Sequence, residues 1–414
     1  MMRKLIVAAA IALGTAAPTF AQFDTASVLG TVEDRSGGVV PGATVTLLSL
    51  DTGIASTKVS DEKGAYEFTS VRIGAYKVSA ELSGFATAVA DNVRVNIGAR
   101  QRVDLILSPG TVTEAVEVTS DVSLLESDSS ERGQVITHEQ AVALPLNGRE
   151  YSSLVLLSTG VRLSALNTGS ASTVREGSFN VNGLRSTFNN FLLDGLDNNA
   201  YGTSNQGFSN QVMQPSPDAV AEFRVVTNNM SAEYGRSAGA TVNVAYASGT
   251  NEFRGSAWEF LRDESLNATG FFKPVNGEKP PLTRNQFGFV FGGPVIRNKA
   301  FFFVDYEGFR QTREQVAFST IPNPTQRQGV LSVDVRDPRT GALYPAGTPI
   351  PMTPFARQVL SGLPDPTGAG AANNYQILQA FTNNNDKYSA KVDVQMTPNL
   401  RGFVRLGYRD VNLT

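Results

Sequence analysis

Oxygen-bearing side chains crowd one short stretch of the sequence, at Asp194, Asp197, Asn198 and Asn199. Carboxylate and amide oxygens are the ligands that Ca²⁺ prefers, but calcium takes about six to eight of them, and the spacing of an EF-hand loop is absent. Asp, Asn and Gly are also the residues that favour tight turns. Because Gly195 follows Asp194 directly, we predict a turn here and no metal site.

Catalytic chemistry is limited by what the composition leaves out. The chain has no cysteine and one histidine, His138, which excludes thiol nucleophiles and disulfides and argues against a Ser-His-Asp triad. No pair of carboxylates stands in a recognisable catalytic motif, so we predict no enzyme, no catalytic residue and no cofactor. The net charge of −3 argues against a nucleic-acid binder.

A segment suited to pairing with another strand follows Pro109-Gly110. Two valines alternate with polar residues in it, and it contains no proline, as a mobile strand requires. We call it the docking segment, and it consists of Glu114, Ala115, Val116, Glu117, Val118, Thr119 and Ser120. Two interpretations are open: a linker or edge strand, or a segment that adds a strand to a partner's exposed sheet edge.

The elements that surround these residues begin with an export signal. Arg3 and Lys4 precede an apolar run, and small residues lead to a cleavage site after Ala21. That order is typical of a secretory signal peptide, which we assign to residues 1–21. No later segment has about 18 apolar residues in a row, so any crossing of a membrane must use strands.

Residues 22–108 have the pattern of a β-sandwich. Short runs of alternating apolar and polar residues, separated by turns rich in Gly, Pro and Asp, predict a series of strands. The predicted strands are Val28–Glu33, Ala43–Leu50, Ile54–Ser60, Tyr66–Ser70, Tyr76–Leu82, Val93–Ile97 and Gln101–Leu107. A sugar site would need exposed aromatic side chains, but we expect core packing for the candidates Tyr66, Phe68, Tyr76 and Phe85.

This region resembles the carboxypeptidase regulatory-like domain. Three blocks carry the resemblance: Gly30–Thr46, Ser60–Phe68 with the sequence S-D-E-K-G-A-Y-E-F, and Gly74–Phe85. The resemblance implies a prealbumin-like sandwich, a fold that is also grouped with carbohydrate-binding folds. It implies no catalytic residue.

Residues 126–248 predict a mixed α/β domain. Gly133–Ile136 predicts a strand, and Thr137 with Gln140 three residues later forms a capping box that starts a helix. A second short helix is predicted at Tyr151–Leu157. Further strands are predicted at Ser178–Asn182, Phe191–Leu193, Phe223–Thr227 and Thr241–Tyr246.

The same residues resemble the plug domain of TonB-dependent outer-membrane receptors, specifically of the Oar-like group. The resemblance is carried by Leu144–Tyr151 with the sequence L-P-L-N-G-R-E-Y, by Phe179–Asn199 and by Glu222–Val244. It implies that the docking segment is the TonB box, the strand that pairs with a TonB-type periplasmic energy transducer.

Residues 249–414 alternate in the manner of membrane β-strands. Such strands need about 9–11 residues with one apolar face. Five segments fit: Glu252–Arg262, Asn285–Gly293, Phe301–Phe309, Asp386–Thr397 and Leu400–Asp410. Gly292-Gly293-Pro294 predicts a periplasmic turn, and Ile321–Asn385 predicts a long extracellular loop. A soluble antiparallel sheet would alternate in the same way, and the plug resemblance favours a membrane barrel.

These patterns together predict a mainly β protein of the Gram-negative outer membrane, in contact with its lipid. Its parts are the sandwich, a linker at 109–125, the plug and the first strands of a transmembrane barrel. The predicted function is energised uptake of an unidentified extracellular ligand. An outer-membrane adhesin or carbohydrate-binding surface protein is the alternative, followed by a secreted hydrolase accessory protein.

The length of residues 249–414 limits how much of a barrel this region can form. Receptors of the resembled family close a barrel of about 22 strands. The 165 residues from Thr250 to Thr414 hold about five or six such strands with one long loop. We therefore expect an incomplete barrel that cannot transport as it stands, because an open sheet leaves backbone groups unpaired in lipid.

Overall fold

The computed structural model describes residues 26–110, 115–117, 128–164, 179–200, 211–232, 234–235, 238–272, 277–397 and 400–414. The predicted signal peptide, together with Glu114 and Val118–Ser120 of the docking segment, lies outside the described residues. The chain divides into two compact units. The first contains the sandwich, the plug and two stretches of the later strands, 288–307 and 387–409.

Eight strands build the sandwich. Its main sheet path runs β3-β2-β5-β6-β8-β1-β4, with β7 paired to β1. The strands are β1 (Ala26–Asp34), β2 (Thr44–Ser49), β3 (Ala55–Val59), β4 (Ala65–Val71), β5 (Gly74–Glu81), β6 (Phe85–Val95), β7 (Arg100–Arg102) and β8 (Leu105–Pro109). The predicted sandwich is confirmed, with two corrections to its strands.

The corrections concern β6 and the last predicted strand. β6 begins at Phe85, eight residues before the predicted start at Val93, because a run of small buried residues conceals the alternation. The predicted strand Gln101–Leu107 is two strands, β7 and β8. Between them, the Asp104 carboxylate accepts hydrogen bonds from the backbone N–H and the hydroxyl of Thr31, at 2.8 and 2.9 Å.

The aromatic side chains of the sandwich belong to its core, as predicted. Tyr66, Phe68 and Tyr76 are 5%, 4% and 7% exposed, and Phe85 packs against the same cluster. Each buried hydroxyl has a partner. Tyr66 donates to the carbonyl of Val103 and Tyr76 donates to the carbonyl of Arg72. Because these rings are buried, they do not form a flat surface for a sugar.

The plug combines a five-stranded sheet with short helices. The sheet order is β10-β15-β16-β13-β14, and β11 pairs with β12 apart from it. The strands are β10 (Arg132–Thr137), β11 (Val161–Leu163), β12 (Phe179–Val181), β13 (Asn190–Leu193), β14 (Leu196–Asp197), β15 (Val220–Asn228) and β16 (Thr241–Tyr246). Among the described residues of the plug, short 3-10 helices span Tyr151–Leu157, Ser186–Phe188 and Pro217–Ala219.

The local predictions for the plug are confirmed where they rested on caps and turns. Helix α1 spans His138–Ala143, and its capping box joins Thr137 and Gln140 in both directions. The second predicted helix is the 3-10 helix at Tyr151–Leu157. Strand β11 had no signal in the sequence, because three residues are too few for a period of two to be seen.

Five long strands follow the plug as one sheet in the order β17-β18-β19-β22-β23. They are β17 (Arg254–Asp263), β18 (Leu282–Ile296), β19 (Ala300–Ser319), β22 (Tyr375–Thr397) and β23 (Leu400–Leu413). A 3-10 helix, Glu264–Leu266, follows β17. Between β19 and β22 lie α2 (Pro324–Arg327), β20 (Val335–Arg336), β21 (Leu343–Tyr344) and α3 (Pro354–Ser361). In the described part of the chain, no helix is long and apolar enough to cross a membrane.

Two boundaries in this sheet differ from the prediction. Gly292-Gly293-Pro294 lies inside β18 and does not form the turn. The chain reverses at residues 297–299, where Asn298 has a positive φ of 58°, a conformation that Asn tolerates better than most residues. The predicted loop is also shorter, because β22 begins at Tyr375, eleven residues before the predicted start.

Burial in β22 is the reverse of that in a soluble sheet. The polar residues Lys387, Ser389, Lys391 and Asp393 are 6–8% exposed. The alternating apolar residues Tyr388, Val392 and Met396 are 47%, 42% and 56% exposed. A sheet in water buries its apolar face, whereas a membrane barrel turns that face to lipid and keeps a polar interior. This pattern supports the membrane barrel over the soluble sheet.

A charge introduced on the exposed apolar face of β22 distinguishes a membrane barrel from a soluble sheet. Val392→Arg is expected to reduce the amount of folded receptor in the outer membrane, since an arginine facing lipid costs about 2–4 kcal/mol at mid-depth. On the water-exposed face of a soluble sheet, the same change costs within about 0.5 kcal/mol. The protease-resistant fraction in isolated outer membranes measures the effect, with Val392→Leu as the control. Equal yields of the two variants would contradict the membrane assignment.

Candidate functional site

The docking segment is described at its centre. Ala115–Glu117 forms strand β9, as the alternation predicts for these residues. It runs parallel to β6 of the sandwich, with Thr87, Ala88 and Val89 opposite Ala115, Val116 and Glu117. Residues 115–117 therefore lie on the sandwich as an added strand.

Strand β6 has an edge available at residues 87–89 because its neighbour β8 diverges from it. β8 pairs with β6 only at Phe85 and Ala86. β5 covers the other side of β6 from Ala88 onward. Residues 87–89 thus have a side that β8 does not reach, and β9 pairs there.

The plug contributes a buried carboxylate that meets two cations. Asp194 follows β13 with a positive φ of 50°, and Gly195 follows it with a φ of 72°, so the predicted Asp-Gly turn is confirmed. Its carboxylate lies 2.9 Å from the Lys391 ammonium and 3.0 Å from Nε of Arg405. It also accepts a hydrogen bond from the backbone N–H of Tyr246 at 3.0 Å. We call this group the Asp194 cluster.

The other members of the oxygen-rich stretch point elsewhere. The Asn198 side chain bonds the backbone of Met213 in both directions, at 2.7 and 2.9 Å. The Asn199 side chain accepts from the backbone N–H of Phe191 at 3.0 Å, and Asp197 accepts from the backbone N–H of Asn199. Asp197 thus makes a local contact within the turn, whereas Asn198 and Asn199 hold the turn against Met213 and β13.

A second buried ionic group joins the plug motif L-P-L-N-G-R to the sheet after it. Arg149, with a positive φ of 53°, contacts Asp218 and lies 3.4 Å from the Glu307 carboxylate. Glu307 is 1% exposed and pairs with Lys387 at 3.0 Å. We call this group the Arg149 cluster.

Both clusters connect the plug with the polar face of β19, β22 and β23. Charges buried in this way are stable only while they are paired, and removing one partner costs about 3–5 kcal/mol. A polar interface can also be separated with less penalty than an apolar one if water enters, because water solvates the freed charges. The arrangement can hold a plug firmly and still permit its displacement.

The sandwich contacts the plug through β15. The backbone N–H of Ile97 donates to the Glu222 carboxylate, which is 3% exposed. The Arg224 guanidinium donates to the carbonyl of Gly98 at 3.2 Å and lies 3.3 Å from the Glu131 carboxylate. Burial raises the pKa of Glu222 to about 7, against the opposing effects of the Ile97 N–H, Arg94 and Arg224.

Glu222→Gln is expected to strengthen this contact at neutral pH. While the sandwich contacts the plug, the Glu222 carboxyl keeps a proton that it releases when the two domains separate. The contact therefore weakens as the pH rises from 4.5 to about 7. Gln cannot ionise, so its advantage should be small near pH 4.5 and reach on the order of 3 kcal/mol above pH 7. Hydrogen exchange of the Ile97 amide, compared between the two proteins at each pH, measures this. A ratio of exchange rates that is independent of pH would contradict the prediction.

A cavity of about 560 Å³ lies between the sandwich, the plug and the strands that follow the plug. Arg72 of the sandwich, Asp218 of the plug and Arg401 of β23 are among the residues that line it. His138 also lines it, and its Nδ1 lies 2.8 Å from the carbonyl of Val220. Arg72 pairs with Asp393 of β22 at 3.0 Å. The cavity is therefore bordered by charged groups of both signs.

The pairing of these charges was not predicted from the sequence. Alternation predicted a strand at Asp386–Thr397, but it did not identify the partners of Lys391 and Asp393. Asp194 and Lys391 are 197 residues apart, and Arg149 and Glu307 are 158 apart. The one available signal was the presence of cations and carboxylates on the face that a barrel turns inward.

The comparisons with known proteins divide the chain into three matches. The carboxypeptidase regulatory-like domain matches residues 27–108, the TonB-dependent receptor plug domain matches 126–242, and an outer membrane β-barrel domain matches 245–414. The chain thus carries the domain set of a TonB-dependent outer-membrane receptor, and these domains indicate a location in the Gram-negative outer membrane.

One curated protein is similar over most of this chain. The TonB-dependent transporter Oar of Myxococcus xanthus is 27% identical over 318 residues, which are 73% of this chain and 28% of that protein. The chain thus spans just over a quarter of that relative's length. The resemblance to the Oar-like group is confirmed.

Two solved structures match this chain at low sequence identity. The outer membrane transporter YddB from Escherichia coli is 12% identical, with a TM-score of 0.44 over 68% of this chain and 33% of that one. The siderophore receptor PirA from Acinetobacter baumannii is 17% identical, with a TM-score of 0.39 over 68% of this chain and 32% of that one.

Proposed function

We propose that this chain supplies the sandwich, the plug and the first barrel strands of a receptor for the energised transport of an extracellular ligand across the outer membrane, with residues 114–120 as its TonB box. The observation that carries the proposal is strand β9, in which the described part of the segment has been added to a sheet edge. Main-chain pairing of this kind supplies affinity with little demand on side chains. A periplasmic energy transducer with a strand of its own is the partner that such a segment fits.

The position of the segment supports a mechanical role. Residues 118–131 lead from it to β10, which is an edge strand of the plug sheet. β10 pairs with β15 alone in the described sheet, starting with Arg132 opposite Asn228. A pull on the segment loads the first bonds of this ladder before the others. An edge strand can separate while β15, β16 and β13 stay paired.

Once the edge strand has separated, the ionic clusters set how easily the plug moves. Displacing the plug brings water to Asp194, Arg149 and their partners, so the cost of separating the charges falls. The 560 Å³ cavity between sandwich, plug and strands lies beside this interface. We propose that the path for the ligand opens there. The mechanism is conformational and needs no covalent step.

We also propose the bounds of the parts. These are a signal peptide at 1–21, the sandwich at 22–108, a linker at 109–125, the plug at 126–248 and the barrel from 249. The relatives named above are transporters and receptors, and we propose no enzymatic activity for this chain.

Growth and accumulation profiling tests the function. A strain that lacks the gene is compared with its parent on defined nutrient classes, with and without a protonophore. We expect at least one nutrient that only the parent accumulates, with accumulation lost when the proton-motive force collapses. Accumulation that depends on the gene but withstands the protonophore would contradict energised transport and favour passive binding at the surface.

A further inference from the structure

The sandwich edge and the transducer both pair with the docking segment, so they compete for it. β9 and β6 are parallel and in continuous register over three residues, with Ala115 opposite Thr87 and Glu117 opposite Val89. The chain between the end of β8 and the start of β9 covers only residues 110–114. Because this tether is so short, the segment meets the sandwich edge at a high effective concentration. An external strand has to compete with that internal partner.

The sandwich is itself fixed to the rest of the first unit. Ile97 is bonded to Glu222 of the plug, Arg72 pairs with Asp393 of β22, and the Asn251 backbone N–H donates to the carbonyl of Asp51 at 3.0 Å. A pull on a segment that stays paired with β6 therefore passes into this anchored domain. The pull reaches β10 only after β9 has left the sandwich.

We propose that the sandwich edge at residues 87–89 holds the docking segment in a withdrawn state, and that transport requires the segment to be released from this edge. The inference rests on the proposed function, since it assumes that residues 114–120 engage the transducer. It assigns the N-terminal sandwich a role as an intramolecular competitor for that segment. Loss of the pairing makes the segment more available, and fixing the pairing makes it unavailable.

A reversible disulfide tests the competition. The natural chain contains no cysteine, so Thr87→Cys with Ala115→Cys introduces one pair at register partners of adjacent strands. Neighbouring strands bring such positions within disulfide reach. Thr87 is buried, at 9% exposed, and cysteine is close to threonine in size, so this substitution should disturb the packing little. Val59→Cys with Ala115→Cys is the control, because Val59 lies on β3 at the far edge of the sheet.

The readout is binding of the transducer's purified periplasmic domain to the purified receptor. We expect the protein with the oxidised Thr87–Ala115 pair to bind the transducer about tenfold or more weakly than the same protein after reduction. The disulfide keeps nearly all molecules in the state that cannot bind, and the apparent affinity falls with the fraction that can bind. The control pair should bind equally in both conditions. Equal binding by the oxidised and reduced Thr87–Ala115 pair overturns the inference and leaves the proposed function standing. If neither form binds, and the natural protein does not bind, both proposals fail.

Hydrogen exchange on the unmodified receptor gives a second test that needs no variant. We expect the transducer domain to speed exchange of amides at residues 87–89, because β9 leaves them exposed as an open edge. Unchanged or slower exchange there would mean that the transducer adds to the sandwich sheet without releasing β9, which overturns the inference.

Discussion

Val116→Pro is expected to weaken binding of the transducer's periplasmic domain by about ten- to 100-fold, because proline removes a ladder hydrogen bond and an unsatisfied partner costs about 1–3 kcal/mol. Proline has no N–H to donate and is tolerated only where the ladder does not need one. Energised accumulation should fall to the level of a strain that lacks the transducer. Surface binding of the nutrient identified by profiling should be unchanged, since the segment lies before the plug in the chain and not among the extracellular loops.

The matched control is Val116→Thr. Threonine is β-branched like valine and keeps the backbone N–H, so a segment recognised through its main chain should tolerate it. Binding within about twofold of the natural protein is expected, which is a difference of under 0.5 kcal/mol. If threonine is as damaging as proline, the side chain and not the backbone is recognised. If proline has no effect, the segment is not the TonB box.

Asp194→Ala is expected to loosen the plug. The change leaves Lys391 and Arg405 without the carboxylate that lies 2.9 and 3.0 Å from them, and breaking a buried ionic group costs about 3–5 kcal/mol. Influx of a small hydrophilic dye into proteoliposomes that carry the purified receptor should rise without any transducer. The receptor should remain assembled, because the Arg149 cluster and the sheet of the plug are intact.

Asp197→Ala provides the comparison for this change. Asp197 belongs to the same turn but is exposed, and a surface substitution changes stability by within about 0.5 kcal/mol. Its dye influx should match that of the natural protein. An Asp194 variant that is as tightly closed as the Asp197 variant would show that the Asp194 cluster does not retain the plug.

Much of the fold can be predicted from local signals in the sequence. Gly-Pro-Asp turns, the capping box at Thr137 and the Asp194-Gly195 turn depend on a few neighbouring residues, and the structure confirms them. The five strands after the plug were also found, because ten or more alternating residues give a clear period. Their inverted burial, with Lys391 inside and Val392 outside, could be read only from the folded structure.

The errors share physical causes. β6 was placed late because its first half is built of small residues, in which alternation is weak. Gly292-Gly293-Pro294 has strong turn chemistry, but it lies within β18, and the turn formed at Asn298 instead. The turn propensity of these three residues is overridden because β18 pairs with β17 on one side and with β19 on the other.

The pairing that matters most for the proposed mechanism was not predictable. Alternation in the docking segment indicated a strand, but it could not name the neighbour. Which edge β9 joins depends on where β8 leaves β6 at Ala86, and that divergence arises from contacts between residues that are distant in sequence. The ionic partners of Asp194 and Arg149 were hidden for the same reason.

Single cysteines at each position from 114 to 120 test the central claim most directly, since the natural chain has none. Each variant is oxidised in the presence of a transducer that carries one cysteine in an edge strand of its periplasmic domain. We expect cross-links that alternate in yield along the segment, because successive residues of a strand point to opposite faces. The absence of a cross-link at every position would contradict the account, and so would equal yields along the segment.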